Sequence, residues 1–201
     1  MIRLIARAVK ISLLSLVALQ AQAKNPPQPS LFSLSFENID GSPYPLSAFE
    51  GKVLVLINTA TECGFAGQLA EMETLHQQTK DKGVIVLSIP SNDFSNQEPR
   101  DGKEIVEYCE RKFRTTFPIV NKTHVRHYEK AHPVFRWIAD NYGKDELPTW
   151  NYGKYVFDRN GALVDSFSSI TSPTSPRFTR TIEEALAVPV ALQPEKTKNS
   201  N

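Results

Sequence analysis

A three-layer α/β domain with a mixed central sheet is what this sequence predicts, and three observations carry the prediction. Two continuous apolar runs, Val53–Ile57 and Val84–Ile89, have strand length and are rich in β-branched residues, as strands covered on both faces are. Between them, Leu69, Met72, Leu75 and Thr79 recur at helical spacing from Gly67 until Lys82-Gly83 stops them, so the strands lie parallel across a β-α-β unit. Later, Lys154–Phe157 and Ala162–Phe167 alternate around Asp158-Arg159-Asn160-Gly161, whose Asn-Gly marks a hairpin and adds an antiparallel part.

The remaining elements follow in order. Phe32, Leu34 and Phe36 alternate in a half-buried strand that runs into a turn at Asp40-Gly41. Ser42–Leu46 is extended and pairs only at an edge, because Pro43 and Pro45 cannot donate. After the second apolar strand the polar loop SNDFSNQEPRDG leads to a helix over Lys103–Lys112, with Ile105, Tyr108, Cys109 and Phe113 on one face. Thr116–Val120 is a short strand-like piece. A helix over His132–Tyr142 carries Val134, Phe135, Trp137 and Ile138, and a last helix over Thr179–Ala187 is amphipathic through Phe178, Ile182, Ala185 and Leu186. This is the thioredoxin arrangement with insertions, a mixed central sheet with flanking helices.

The 201 residues, 40% of them hydrophobic, suffice for one domain with a substantial core. A formal net charge of +1 gives no nucleic-acid footprint. At the N-terminus Arg3, Arg7 and Lys10 precede the apolar run ISLLSLVALQ and then Ala21-Gln22-Ala23, the order of an export signal over residues 1–23. The run is shorter than the roughly 20 residues that span a bilayer, so no membrane insertion is expected after cleavage. Cleavage takes the net charge from +1 to −2 and sends the protein to a periplasm or the exterior. Residues 24–30 read as a linker, residues 31–188 as the domain, and residues 189–201 as a polar, proline-interrupted, disordered tail.

Cys63 lies between the end of the first buried strand and the start of a helix, where outward backbone N–H groups favour the thiolate, cysteine's nucleophilic form. In an open α/β sheet, ligands bind outside the carboxyl ends of parallel strands. The loop after Ile89, with Asn92, Asn96 and Gln97, reaches the same edge, and Thr149-Trp150-Asn151 comes just before the hairpin. Taken alone, Gln97 also reads as a solvated loop residue, Trp150 as a rim aromatic and Asn151 as a turn former. Two cysteines in an exported chain also fit one structural bridge. The absence of C-x-x-C disfavours a dithiol oxidoreductase. His124 and His127 fall in the polar stretch NKTHVRHYEKAH and read as surface, so neither a metal nor a cofactor is expected.

Cys63-Gly64, Pro90-Ser91-Asn92-Asp93-Phe94, Gln97-Glu98-Pro99, Phe117-Pro118, Ala131-His132-Pro133 and Trp150-Asn151-Tyr152 stand in the order found in glutathione peroxidases, and the resemblance spans Ser33 to Leu186. It implies a thioredoxin-like fold and a reactive cysteine, Cys63, surrounded by Gln97, Trp150 and Asn151. It implies a peroxidase for hydrogen peroxide or organic hydroperoxides, active against oxidative stress. Cys109 resembles the resolving cysteine of the thiol-dependent branch, whose disulfide passes to a thioredoxin-like protein. Its place on an apolar face equally suits a core cysteine. Glutathione is the other candidate reductant. The short connection between the His132 helix and Trp150 resembles the monomeric branch. The pattern departs at Ala66-Gly67, where the family usually has Thr-Pro, and at Ser91 and Asp93, where Cys and Gln are common. Two rival readings are a redox sensor that relays its disulfide to a partner, and a non-catalytic module with a permanent Cys63–Cys109 bridge.

Overall fold

A computed structural model describes residues 29–191. The expected export signal, most of the linker and the tail beyond Ala191 lie outside the described residues.

The central sheet has the order β4-β3-β5-β6. Strands β3 (Val53–Thr59) and β4 (Val84–Pro90) pair in parallel along their whole length. Strand β5 (Lys154–Phe157) runs antiparallel to the other side of β3, and β6 (Leu163–Phe167) antiparallel to β5. The sheet is therefore mixed, with β3 interior. Ahead of it, β1 (Ser35–Glu37) and β2 (Pro43–Pro45) form a separate antiparallel ribbon. Among the described residues four α-helices complete the domain: α1 (Gln68–Thr79), α2 (Lys103–Phe113), α3 (Pro133–Tyr142) and α4 (Pro176–Ala187).

Side chains alternate across a strand, and β3 shows why its run is apolar throughout. Val53, Val55 and Ile57 pack with Leu69, Met72 and Leu75 of α1, Ile105 and Cys109 of α2, and Phe178 and Ile182 of α4. Leu54 and Leu56 face the other way, onto Val134, Phe135 and Ile138 of α3 and onto Leu31, Phe32 and Phe36. Helices thus cover both faces, which makes three layers.

Several boundaries differ from the sequence-based expectation. Leu31–Ser33 is a 3-10 turn, because Ser30 Oγ accepts from the Phe32 N–H and winds the chain; Phe32 and Phe36 are buried regardless. Thr116–Val120 forms only an isolated parallel bridge, Ser88 to Ile119, since Pro118 has no N–H to extend the ladder. Helix α4 begins at Pro176, a turn early, with Ser175 as its N-cap. The last linker residues and the first tail residues are held: Trp137 Nε1 donates to Pro29 O at 2.6 Å, Asn160 Nδ2 to Pro189 O at 2.9 Å, and Ala191 N to Asn160 Oδ1 at 2.8 Å.

Candidate functional site

The carboxyl ends of β3 and β4 open onto one edge of the sheet, and the chain leaves β3 there through a series of turns rather than directly into α1. Cys63 sits in these turns, 7% exposed. Ala66 N donates to Cys63 O at 2.9 Å, Gln68 N to Phe65 O and Leu69 N to Ala66 O, which winds the segment toward the helix. The N–H aimed at sulfur belongs to Phe65, 3.5 Å from Cys63 Sγ. The donor expected from the start of the helix therefore comes from the turn before it. Helix α1 has no side-chain cap, and its N-cap Gly67 already has helical dihedrals.

Gln97 arrives from the loop after β4. Glu62 N donates to Gln97 O at 3.0 Å, tying this loop to the residue before Cys63, and Ser91 N donates to Thr59 O. Ser95 and Asn96 both adopt φ +53°, a left-handed conformation uncommon outside glycine, and so reverse the chain just before Gln97. Asp93 anchors the loop from behind, accepting from His124 Nδ1 at 2.6 Å, Val125 N at 2.6 Å and Arg126 N at 3.0 Å. The substitution noted at Asp93 thus has a definite partner set, and His124 is engaged by it.

The Trp150-Asn151 segment enters from the third side. Asn58, at the end of β3, donates from Nδ2 to Trp150 O at 3.2 Å and accepts at its carbonyl from Tyr152 N at 2.7 Å. Tyr152 is fully buried at φ +66°, and its hydroxyl donates to Ala60 O at 2.8 Å. A Cβ on Gly153 would stand 2.9 Å from Asn58 Oδ1, so glycine is required for this approach. The buried Lys154 donates to Tyr152 O at 2.7 Å, and burial draws its pKa down to about 8. Held this way, Asn151 donates from Nδ2 to Gln97 Oε1 at 2.9 Å, while its Oδ1 is buried without a partner. Trp150 packs on Phe94, ring centroids 5.7 Å apart, and stays 37% exposed.

Three of the residues singled out from the sequence are thus linked to one another or to the Cys63 turn: Gln97 through the Glu62 backbone, Asn151 through Gln97, and Trp150 through Phe94 and Asn58. Cys109 sits elsewhere, on the inner face of α2 in the same apolar cluster as Cys63. Both are free thiols. Burial, reinforced by the negative charge of Glu98, pushes the Cys109 thiol up to about 12.

Glu98 is the residue that the sequence reading passed over. It is fully buried, yet its carboxylate accepts from Thr61 N at 2.9 Å and Thr61 Oγ1 at 2.7 Å, fixing the turn two residues before Cys63. Burial raises its pKa against those two bonds. An acidic residue beside a proline in a polar loop carries no periodic signal of burial; only its place in the Gln97-Glu98-Pro99 motif set it apart.

The family model described as Glutathione peroxidase matches residues 31–139. The glutathione peroxidase-like peroxiredoxin GPX5 of Chlamydomonas reinhardtii is 38% identical over 149 residues, covering 73% of this chain and 91% of that protein. The crystal structure of Trgpx in apo form superposes with a TM-score of 0.64 at 27% identity, over 80% of this chain and 97% of that one. A thioredoxin-family thiol:disulfide interchange protein from Chlorobium tepidum superposes with a TM-score of 0.56 at 19% identity, over 82% of this chain and 99% of that one, a likeness of fold.

Proposed function

Because this chain belongs to the glutathione peroxidase family, we propose that it reduces hydrogen peroxide or organic hydroperoxides through Cys63, with Gln97, Trp150 and Asn151 as its supporting groups. The Cys63 thiolate attacks one oxygen of the O–O bond. An S–O bond forms, the O–O bond breaks, and sulfenic acid remains on sulfur while the other oxygen leaves as alkoxide or hydroxide and takes up a proton. That leaving oxygen needs donors in place before charge develops on it.

The observation that carries this reading is the Asn151–Gln97 hydrogen bond. It engages Gln97 Oε1 as acceptor and leaves Nε2, which has no hydrogen-bond partner among the described residues, free to donate. Trp150 Nε1 is a second donor and cannot accept. The Phe65 N–H, 3.5 Å from Cys63 Sγ, is a further donor beside the sulfur.

In the second half of the cycle Cys109 attacks the sulfenic acid, and the resulting disulfide is reduced by a thioredoxin-like protein or by glutathione. The exported, monomeric state expected from the sequence belongs to the same proposal. The deep burial of Cys109 favours one alternative, a sulfenate that lives long enough to be relayed to a partner protein.

Peroxide consumption by the mature protein with thioredoxin or with glutathione, against a Cys63→Ser control, tests the proposal. Sustained turnover with either reductant that the control lacks supports it. One stoichiometric oxidation without turnover favours the relay.

A further inference from the structure

Arg100 touches the residue that immediately precedes each cysteine. Its Nη1 donates to Glu62 Oε1 at 2.8 Å and to Thr61 Oγ1 at 2.9 Å, and Glu62 precedes Cys63. Its guanidinium carbon lies 3.8 Å from the centroid of the Tyr108 ring, and Tyr108 precedes Cys109 on α2. Its own backbone is fixed, for Lys122 Nζ donates to Arg100 O at 2.9 Å and pairs with Asp101 at 2.6 Å. One guanidinium therefore joins the turn of one thiol to the helix of the other.

The second half of the proposed cycle requires this arrangement to change. A disulfide needs Cα atoms within roughly 4.4–6.8 Å and Cβ atoms that face each other. Cys109 is 2% exposed on the inner face of α2, alongside Ile105. Both thiols are free, so for the Cys109 sulfur to bond oxidised Cys63 the part of α2 around Cys109 has to move, and Tyr108 with it away from the Arg100 face.

We propose that Arg100 is a positioning residue for this step: by clasping Tyr108 to the Cys63 turn it keeps α2 folded, and its release sets how fast Cys109 reaches oxidised Cys63. The step itself is balanced. The Cys109 thiol gives up its proton, its sulfur attacks Cys63 Sγ, the S–S bond forms as the S–O bond of the sulfenic acid breaks, and the departing hydroxide leaves with that proton as water. A tight clasp prolongs the sulfenic acid and exposes it to a second peroxide, which takes it to sulfinic acid. A loose clasp favours the disulfide. The inference rests on Cys109 being the resolving residue.

Two variants of the full chain test it. Tyr108→Leu keeps apolar bulk and removes the ring; Arg100→Lys keeps a positive charge for Glu62 and loses the flat face that stacks. Each is mixed with one equivalent of hydrogen peroxide, quenched with a thiol alkylator over a time series, and analysed by mass spectrometry for Cys63 sulfenic acid and the Cys63–Cys109 disulfide. In Tyr108→Leu the first step is expected to keep its wild-type rate, which also reports an intact fold; in Arg100→Lys, which alters the bond to Thr61, the disulfide rate is read against that variant's own first step. Disulfide formation is expected to accelerate roughly two- to fivefold, the factor that a partly exposed cation–π contact corresponds to. Less sulfinic acid should accumulate in excess peroxide. A disulfide rate that is unchanged or slower in both variants, with the first step intact, overturns the clasp. A wild-type protein that forms no Cys63–Cys109 disulfide overturns the resolving role of Cys109, and the clasp with it.

Discussion

Asn151 Nδ2 donates to Gln97 Oε1 at 2.9 Å, so one amide sets the orientation of the other. If Gln97 Nε2 is a donor to the leaving oxygen, Gln97→Ala should slow Cys63 oxidation by about 10²–10³, the usual cost of one such donor. Asn151→Ala should act largely through Gln97. The double variant should therefore lose much less than the product of the single losses. Stopped-flow oxidation under single-turnover conditions measures all three; independent, multiplicative losses would contradict the orienting role.

Tyr152 holds a left-handed backbone at φ +66° and anchors it through the hydroxyl bond to Ala60 O. Tyr152→Phe keeps the ring and leaves a carbonyl without its partner, so it should cost about 1–3 kcal/mol in urea unfolding. Because the bond joins the Trp150 segment to the Cys63 turn, the variant should also oxidise more slowly. A stability equal to wild type would show that the bond contributes nothing net.

His132 caps α3, its Nδ1 accepting from Val134 N at 3.3 Å while its ring stacks on Phe36 with centroids 4.5 Å apart. Burial, aided by the nearby Arg136 charge, lowers its pKa from 6.5 to about 4. A group whose folded pKa is depressed takes up its proton more readily in the unfolded chain. The stability it contributes is complete above pH 6.5 and is lost as pH falls toward 4. Melting temperature should decline across that window, and His132→Asn, which can still cap but does not titrate, should flatten the decline. Equal slopes in the two proteins would assign it to other groups.

Gly67 has φ −56° and ψ −25°, and a Cβ there would meet nothing within 4 Å. Gly67→Ala should stabilise the protein by about 0.4–1 kcal/mol, chiefly by restricting the unfolded chain. If the start of α1 also steadies the Cys63 turn, peroxide reactivity should be kept or rise. Chemical denaturation and single-turnover oxidation together check both parts.

Much of this architecture is legible in the sequence because β3 and β4 are apolar on both faces and α1 lies between them with clear periodicity. The hairpin at Asn160-Gly161 was equally plain. What escaped depends on single polar contacts, short-range caps as well as bonds between distant segments. The cap at Ser175 started α4 early, Ser30 Oγ turned an alternating Phe32–Phe36 into a 3-10 turn and a short strand, and Asn160 pinned the beginning of the tail. At the site, Cys63, Gln97, Trp150 and Asn151 were picked out by motif. Of the groups that hold them, Glu98 and Tyr152 stand in those motifs without an assigned role, and Asn58 and Thr61 stand in none, because burial of a polar residue is decided by its tertiary partners and leaves no periodic trace.

The central claim is that Cys63 is the sulfur that peroxide oxidises. Its most direct test is mass spectrometry of the reduced protein after one equivalent of hydrogen peroxide with a sulfenic-acid trap present, in wild type and in Cys109→Ser. The account predicts the adduct on Cys63 in both proteins, in higher yield in Cys109→Ser, and none on Cys109. Peroxide that is consumed while Cys63 stays a thiol would contradict it.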